Sequence, residues 1–112
     1  MIPVRIVDFS AYPAGRDEKD GPFNGKKFRD EILVPAIRKA IETRDKVLVI
    51  LDDVKSYGSS FLEEAFGGLV RVSHFKRSEL ESVLEIRAER PVYNTYKRQI
   101  ENHIKKAPTS DR

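Results

Sequence analysis

Lys46-Val47-Leu48-Val49-Ile50-Leu51-Asp52-Asp53 is the stretch whose reading decides the fold. Five consecutive apolar residues, two of them Val and one Ile, lie between a lysine and an aspartate pair. A short β-branched run of this kind suits a strand buried on both faces, as in a parallel sheet. On its amino side, Phe28, Ile32, Leu33, Ala36, Ile37, Ala40 and Ile41 recur at helical spacing. Asn24 is placed to cap that helix. Pro35 lies inside it, removes one backbone bond and should kink it or divide it in two. Further upstream, residues 4–9 (Val-Arg-Ile-Val-Asp-Phe) read as a first strand. Residues 12–25 carry Pro13, Gly15, Gly21, Pro22 and Gly25 among charges, which makes a long loop.

On the carboxyl side, residues 56–60 form a short polar turn. Phe61, Leu62, Ala65, Phe66, Leu69 and Val70 then give a second helical stripe. Residues 74–82 follow neither period. Leu84, Ile86 and Ala88 alternate with Glu85, Arg87 and Glu89, the period of a half-exposed strand. Pro91 suits the first turn of a last helix, whose apolar face holds Tyr93, Tyr96, Ile100 and Ile104. The order is β-α-β-α-β-α, an α/β fold with a small, mainly parallel sheet and packed helices. An edge strand of so small a sheet could also pair with another copy.

With 112 residues the chain fits one domain, expected over residues 1–107, followed by a frayed tail at 108–112. It has no cysteine, which excludes disulfides, thiolate metal sites and thiol chemistry. Residues 1–9 hold Arg5 and Asp8 and no signal-like apolar run, and the apolar run at 47–51 is far too short to span a membrane. Cytoplasmic residence is the expectation. Net charge is +3 with both signs interspersed, a poor match to the concentrated basic field of a nucleic-acid binder.

Ser56-Tyr57-Gly58-Ser59-Ser60-Phe61-Leu62-Glu63-Glu64-Ala65-Phe66-Gly67-Gly68-Leu69-Val70-Arg71 resembles the STAS-like domain family of bacterial proteins of unknown function. Three other pieces agree: Gly15-Arg16, then Gly21-Pro22-Phe23-Asn24-Gly25 with Phe28-Arg29, then the strand ending in Asp52. STAS-like domains are similar to anti-sigma factor antagonists. Those proteins carry a serine in an Asp-Ser-Ser-Gly turn at a helix start, where a partner kinase phosphorylates it and releases the complex. Here the turn reads Gly58-Ser59-Ser60-Phe61, with Gly58 in place of the Asp and Phe61 in place of the Gly. The resemblance implies a regulatory protein-binding module; with no catalytic constellation visible, neither a catalytic role nor a cofactor is expected. Its site would comprise Ser59, Ser60, Phe61, Glu63 and Glu64. Its partner would be a histidine-kinase-like ATPase or an anti-sigma factor. Elementary electrostatics agrees: a phosphate at a helix start meets free N–H groups and the positive end of the dipole, and it adds about −1.5 to −2 charges to a binding face.

Plainer readings stand beside these. Ser60 with Glu63 matches a capping box, S-x-x-E, which is a purely structural device. Gly67-Gly68 permits close backbone packing. Asp52-Asp53 is expected to solvate a strand end; a receiver-type metal site would need further acidic and Lys partners. Arg16 and Arg29 flank the glycine-rich loop as a possible anion site. They underlie the alternative function, a small-molecule or nucleotide-binding domain using loop 15–29 and the 52–60 turn. His74 and His103 lack metal-ligand spacing. No G-x-S-x-G pattern is present, and no hydrolase constellation is visible. Tyr93, Tyr96, Lys97, Arg98, Lys105 and Lys106 mix aromatics with bases, but the tyrosines fall on the apolar stripe and read as core.

Overall fold

The computed structural model describes residues 1–109; the rest of the expected tail, 110–112, lies outside the described residues. Its sheet holds β1 (Ile2–Arg5), β2 (Val47–Ile50) and β3 (Leu84–Arg87), all parallel, in the order β1-β2-β3. Ile2 pairs with Val47 and Val47 with Leu84, and the register runs on to Arg5, Ile50 and Arg87. The expected first strand, 4–9, is displaced. Pairing stops at Arg5 because its partner Ile50 ends β2. Ile6–Phe9 then turns into a short helix, α1, closed by the Ser10 N–H on the Ile6 carbonyl at 3.0 Å. The turn sends Ile6 into the core, with Phe9 packed against it.

The first crossover helix is one continuous run in three parts: α2 (Gly25–Phe28), a π turn (Arg29–Leu33) and α3 (Val34–Thr43). Asn24 caps it as expected, its side chain accepting the Lys27 N–H at 2.8 Å. Pro35 does not split the helix. The π turn ends with the Val34 N–H reaching back to the Arg29 carbonyl, just before the residue that has no N–H to give. The second crossover has the same build: α4 (Ser59–Leu62), a π turn (Glu63–Gly67) and α5 (Gly68–Arg71). Then comes α6 (Arg77–Val83), which the sequence pattern left unassigned. It buries only Leu80 and Val83, too few positions to reveal a period. Pro91–Tyr93 forms a 3₁₀ turn that leads into α7 (Asn94–Lys106).

Within one strand, alternate residues face opposite sides of the sheet. Val4, Val47, Val49 and Ile86 point into the single core with Phe28, Phe61 and Phe66. Pro3, Leu48, Ile50, Glu85 and Arg87 share the other face. Leu48 is buried but lies outside the core cluster. The central strand is thus buried on both faces as expected, with only Ile50 at its end partly exposed.

Candidate functional site

The site grows from the loop between β2 and α4. Tyr57 is buried, and its hydroxyl donates to the Leu51 carbonyl at 2.7 Å. Burial pushes its phenol pKa up. Its ring packs on Tyr96 at 4.8 Å, while the Tyr93 hydroxyl donates to the Val54 carbonyl at 3.0 Å. The tyrosines are therefore structural, as their apolar stripe implies, and they anchor α7 to this loop. The 10–14 segment lies alongside: Lys55 N–H donates to the Ala11 carbonyl at 2.8 Å and Gly58 N–H to the Pro13 carbonyl at 3.1 Å. A Cβ at Gly58 would sit 3.2 Å from the Ala14 Cα, a tight contact that glycine avoids.

Helix α4 begins at Ser59 with Gly58 as N-cap, in extended conformation and with no side-chain cap bond. The expected capping box at Ser60 and Glu63 does not form, because the helix starts earlier than the motif implies. Ser60 is already inside the helix, and Glu63 turns sideways to Arg16 and Arg71. Ser59 and Ser60 are both exposed. Tyr12, 66% exposed, and Phe23, 46% exposed, lie on the loop segments joined to this turn. Phe61, expected at the docking surface, is instead fully buried. Its ring lies 5.5 Å from Phe28 and 6.2 Å from Phe9.

Glu63 and Glu64 open the second π turn and gather three arginines. Arg16 Nη1 lies 2.5 Å from Glu63 Oε1 and 3.1 Å from Glu64 Oε1. Arg71 Nη1 lies 2.5 Å from Glu63 Oε2. Arg29 Nη1 lies 2.5 Å from Glu64 Oε2 and donates to the Glu64 carbonyl at 2.8 Å, while its Nε meets Asp30 at 3.0 Å. Burial pushes both glutamates up, but the arginine hydrogen bonds outweigh it and hold them below the usual carboxylate range. Arg16 and Arg29, the candidate anion ligands, are thus neutralised within the chain. Arg29 is only 2% exposed and takes no part in an open anion site. Beside loop 15–29 a concavity of about 280 Å³ is lined by both signs, with Lys26 and Lys27 against Glu18, Asp30 and Glu31.

Asp52 is buried. It accepts the N–H groups of Glu89 at 2.8 Å and Arg90 at 2.9 Å, which ties the end of β2 to the chain leaving β3. Asp53 adopts φ 76 and pairs with Arg5 at 3.0 Å and with Arg90. The pair shapes a turn, but Asp52 does not solvate the strand end as expected, because its buried carboxylate is taken up by the Glu89 and Arg90 N–H groups. Among the described residues no cluster of His, Cys, Asp and Glu suits a metal ion, and no helix is long and apolar enough to cross a membrane. Sequence reasoning gave Tyr12 and Arg71 no role and weighed His103 only as a metal ligand. Arg71 follows Glu63 by eight residues, and the two meet across the π turn at Glu63–Gly67. His103 presents a buried Nε2 with no hydrogen-bond partner.

Neither a curated protein nor a solved structure matches the chain. The family profile described as a STAS-like domain of unknown function does match, over residues 24–91, which takes in both π-turn helices, the central strand and β3. The chain belongs to that STAS-like family.

Proposed function

We propose that this chain is a regulatory protein-binding module that docks through the surface around Ser59 and Ser60. It acts by binding and not by catalysis. One observation carries the reading: two adjacent exposed hydroxyls stand at a helix start, and neither serves as a cap. Their structural explanation, the capping box, is gone. Exposed Tyr12 and Phe23 on the adjoining loops supply aromatic contact area, the residue type enriched in protein interfaces. Phosphorylation of either serine would place charge near Glu63 and Glu64 and change the face a partner meets. The partner class is an ATP-binding, histidine-kinase-like protein or an anti-sigma factor, by analogy with the antagonists that STAS-like domains resemble.

The test is capture of partners from native-host lysate by wild-type protein and by the Ser59→Asp/Ser60→Asp double variant, with intact-mass measurement of the endogenous chain. A partner lost by the variant, together with the mass of one added phosphate, supports the switch. A partner kept by both, with no added mass, makes the docking constitutive. Absence of any partner sinks the reading. The alternative, a small-molecule or nucleotide site using loop 15–29 and the 52–60 turn, gains no support from guanidiniums already paired to Glu63 and Glu64.

A further inference from the structure

The sheet has two outer edges, and they differ. On β1, Ile2 N–H points inward to the Lys46 carbonyl at 2.7 Å, so by alternation Pro3 turns its nitrogen outward. That edge offers no donor at its centre, a common way of blunting an edge strand. On β3, Leu51 N–H reaches the Arg87 carbonyl at 3.0 Å, so Arg87 and Glu85 use their backbone groups inward. Ile86 and Ala88 direct theirs to the open edge. The Leu84 N–H is taken by the Leu80 carbonyl, but the Leu84 carbonyl faces out. No proline interrupts β3. Beside this edge runs a groove of about 490 Å³ with Leu80, Leu84, Ile86 and Ile104 on its floor.

We infer that the β3 edge pairs with the same edge of a second copy, antiparallel and centred on Ile86. The register follows from charge. Outward backbone groups can meet only if Ile86 faces Leu84, Ile86 or Ala88 of the other copy. Facing Leu84 sets Glu85 against Glu85, and facing Ala88 sets Arg87 against Arg87. Facing Ile86 sets Glu85 against Arg87 twice, once on each side of the two-fold axis. Directly opposite side chains of opposite sign stabilise a strand pair, and like charges there destabilise it. In that register Ile86 exchanges both backbone bonds with its mate, and each Ala88 N–H reaches the other copy's Leu84 carbonyl. The glutamates and arginines then lie across a non-hydrogen-bonded pair, where side chains approach more closely. A patch that complements itself in this way is what an isologous dimer requires. The product is a continuous sheet with the two grooves, each lined by Leu80, Leu84, Ile86 and Ile104 between charged side chains, joined at the axis.

Sedimentation equilibrium over a wide concentration range tests this directly. Wild-type protein should dimerise. Glu85→Arg and Arg87→Glu should each raise the dissociation constant by about tenfold or more, since each replaces the two attractive pairs across the axis by two repulsive ones. The ion pair that Glu85 and Arg87 make within one strand at 3.2 Å is lost in monomer and dimer alike. The double variant should recover the wild-type constant, and an equimolar mixture of the two single variants should form a heterodimer tighter than either homodimer. Thermal melts of the monomers control for folding. A wild-type chain that stays monomeric to its solubility limit overturns the inference. So does a dimer that both single variants leave unchanged.

Discussion

The Arg29 guanidinium lies 2.5 Å from the Glu64 carboxylate and directly over Gly68, where an added Cβ would overlap it. The buried cation thus depends on the carboxylates of Glu64 and of its own neighbour Asp30, and on the missing side chain at Gly68. Glu64→Ala should cost about 3 kcal/mol, because it leaves the buried guanidinium with only the largely exposed Asp30 carboxylate. Gly68→Ala should also destabilise, although alanine favours helix by about 1 kcal/mol over glycine. Urea midpoints of the two variants measure both. A Gly68→Ala protein as stable as wild type would mean that Arg29 can move aside freely.

Ser59→Ala and Ser60→Ala should each change stability by less than about 0.5 kcal/mol, as for ordinary exposed positions. A true capping serine would cost about 1 kcal/mol. A cap-sized loss at Ser60 in thermal or urea unfolding would restore the capping box and weaken the docking proposal.

Stability should fall in acid in two stages. Burial depresses the His103 pKa, with Glu63 raising it and Arg16 lowering it. The unfolded chain then takes up that proton more readily, so stability declines as pH drops through the ordinary histidine value of 6.5. Glu63 and Glu64 are held below 4.5, so their contribution is full above that value and is lost as pH falls past it through their folded values. Urea unfolding from pH 8 to 3, in steps of about half a unit, follows both stages. His103→Phe should remove the upper stage and leave the lower one. Persistence of the upper stage in that variant would assign it elsewhere.

Asp52→Ala should cost about 2 kcal/mol, because it strips the acceptor from the Glu89 and Arg90 N–H groups. Hydrogen exchange at those two amides should accelerate along with the loss. Unaltered exchange would show that another acceptor takes over.

Much of this protein is legible in its residues because local physics decides it. The Val47–Leu51 run, the Asn24 cap, the alternation at Leu84–Ala88 and the apolar stripe through Ile100 depend on spacing and chemistry within a few residues of one another. They yield the parallel sheet and the crossover helices, and the STAS-like resemblance follows the same segments. Other features were set at a distance. The first strand is shorter than its pattern because its partner β2 ends at Ile50. Phe61 left the expected docking surface because the rings of Phe9 and Phe28 enclose it. Ser60 lost its capping role because Gly58 starts the helix on the Pro13 carbonyl. Arg16 and Arg29 met Glu63 and Glu64, and no ligand is needed to balance them, because two π turns shift the helix faces out of the 3.6-residue period. The sequence by itself determined the central strand, the strand from Leu84 and the three long helical runs, since propensity and periodicity act locally, but not the helices at Ile6–Phe9 and Arg77–Val83. Only the tertiary structure decided which charges are matched, which serines are free of structural duty and which sheet edge stays open, since those depend on contacts between segments tens of residues apart.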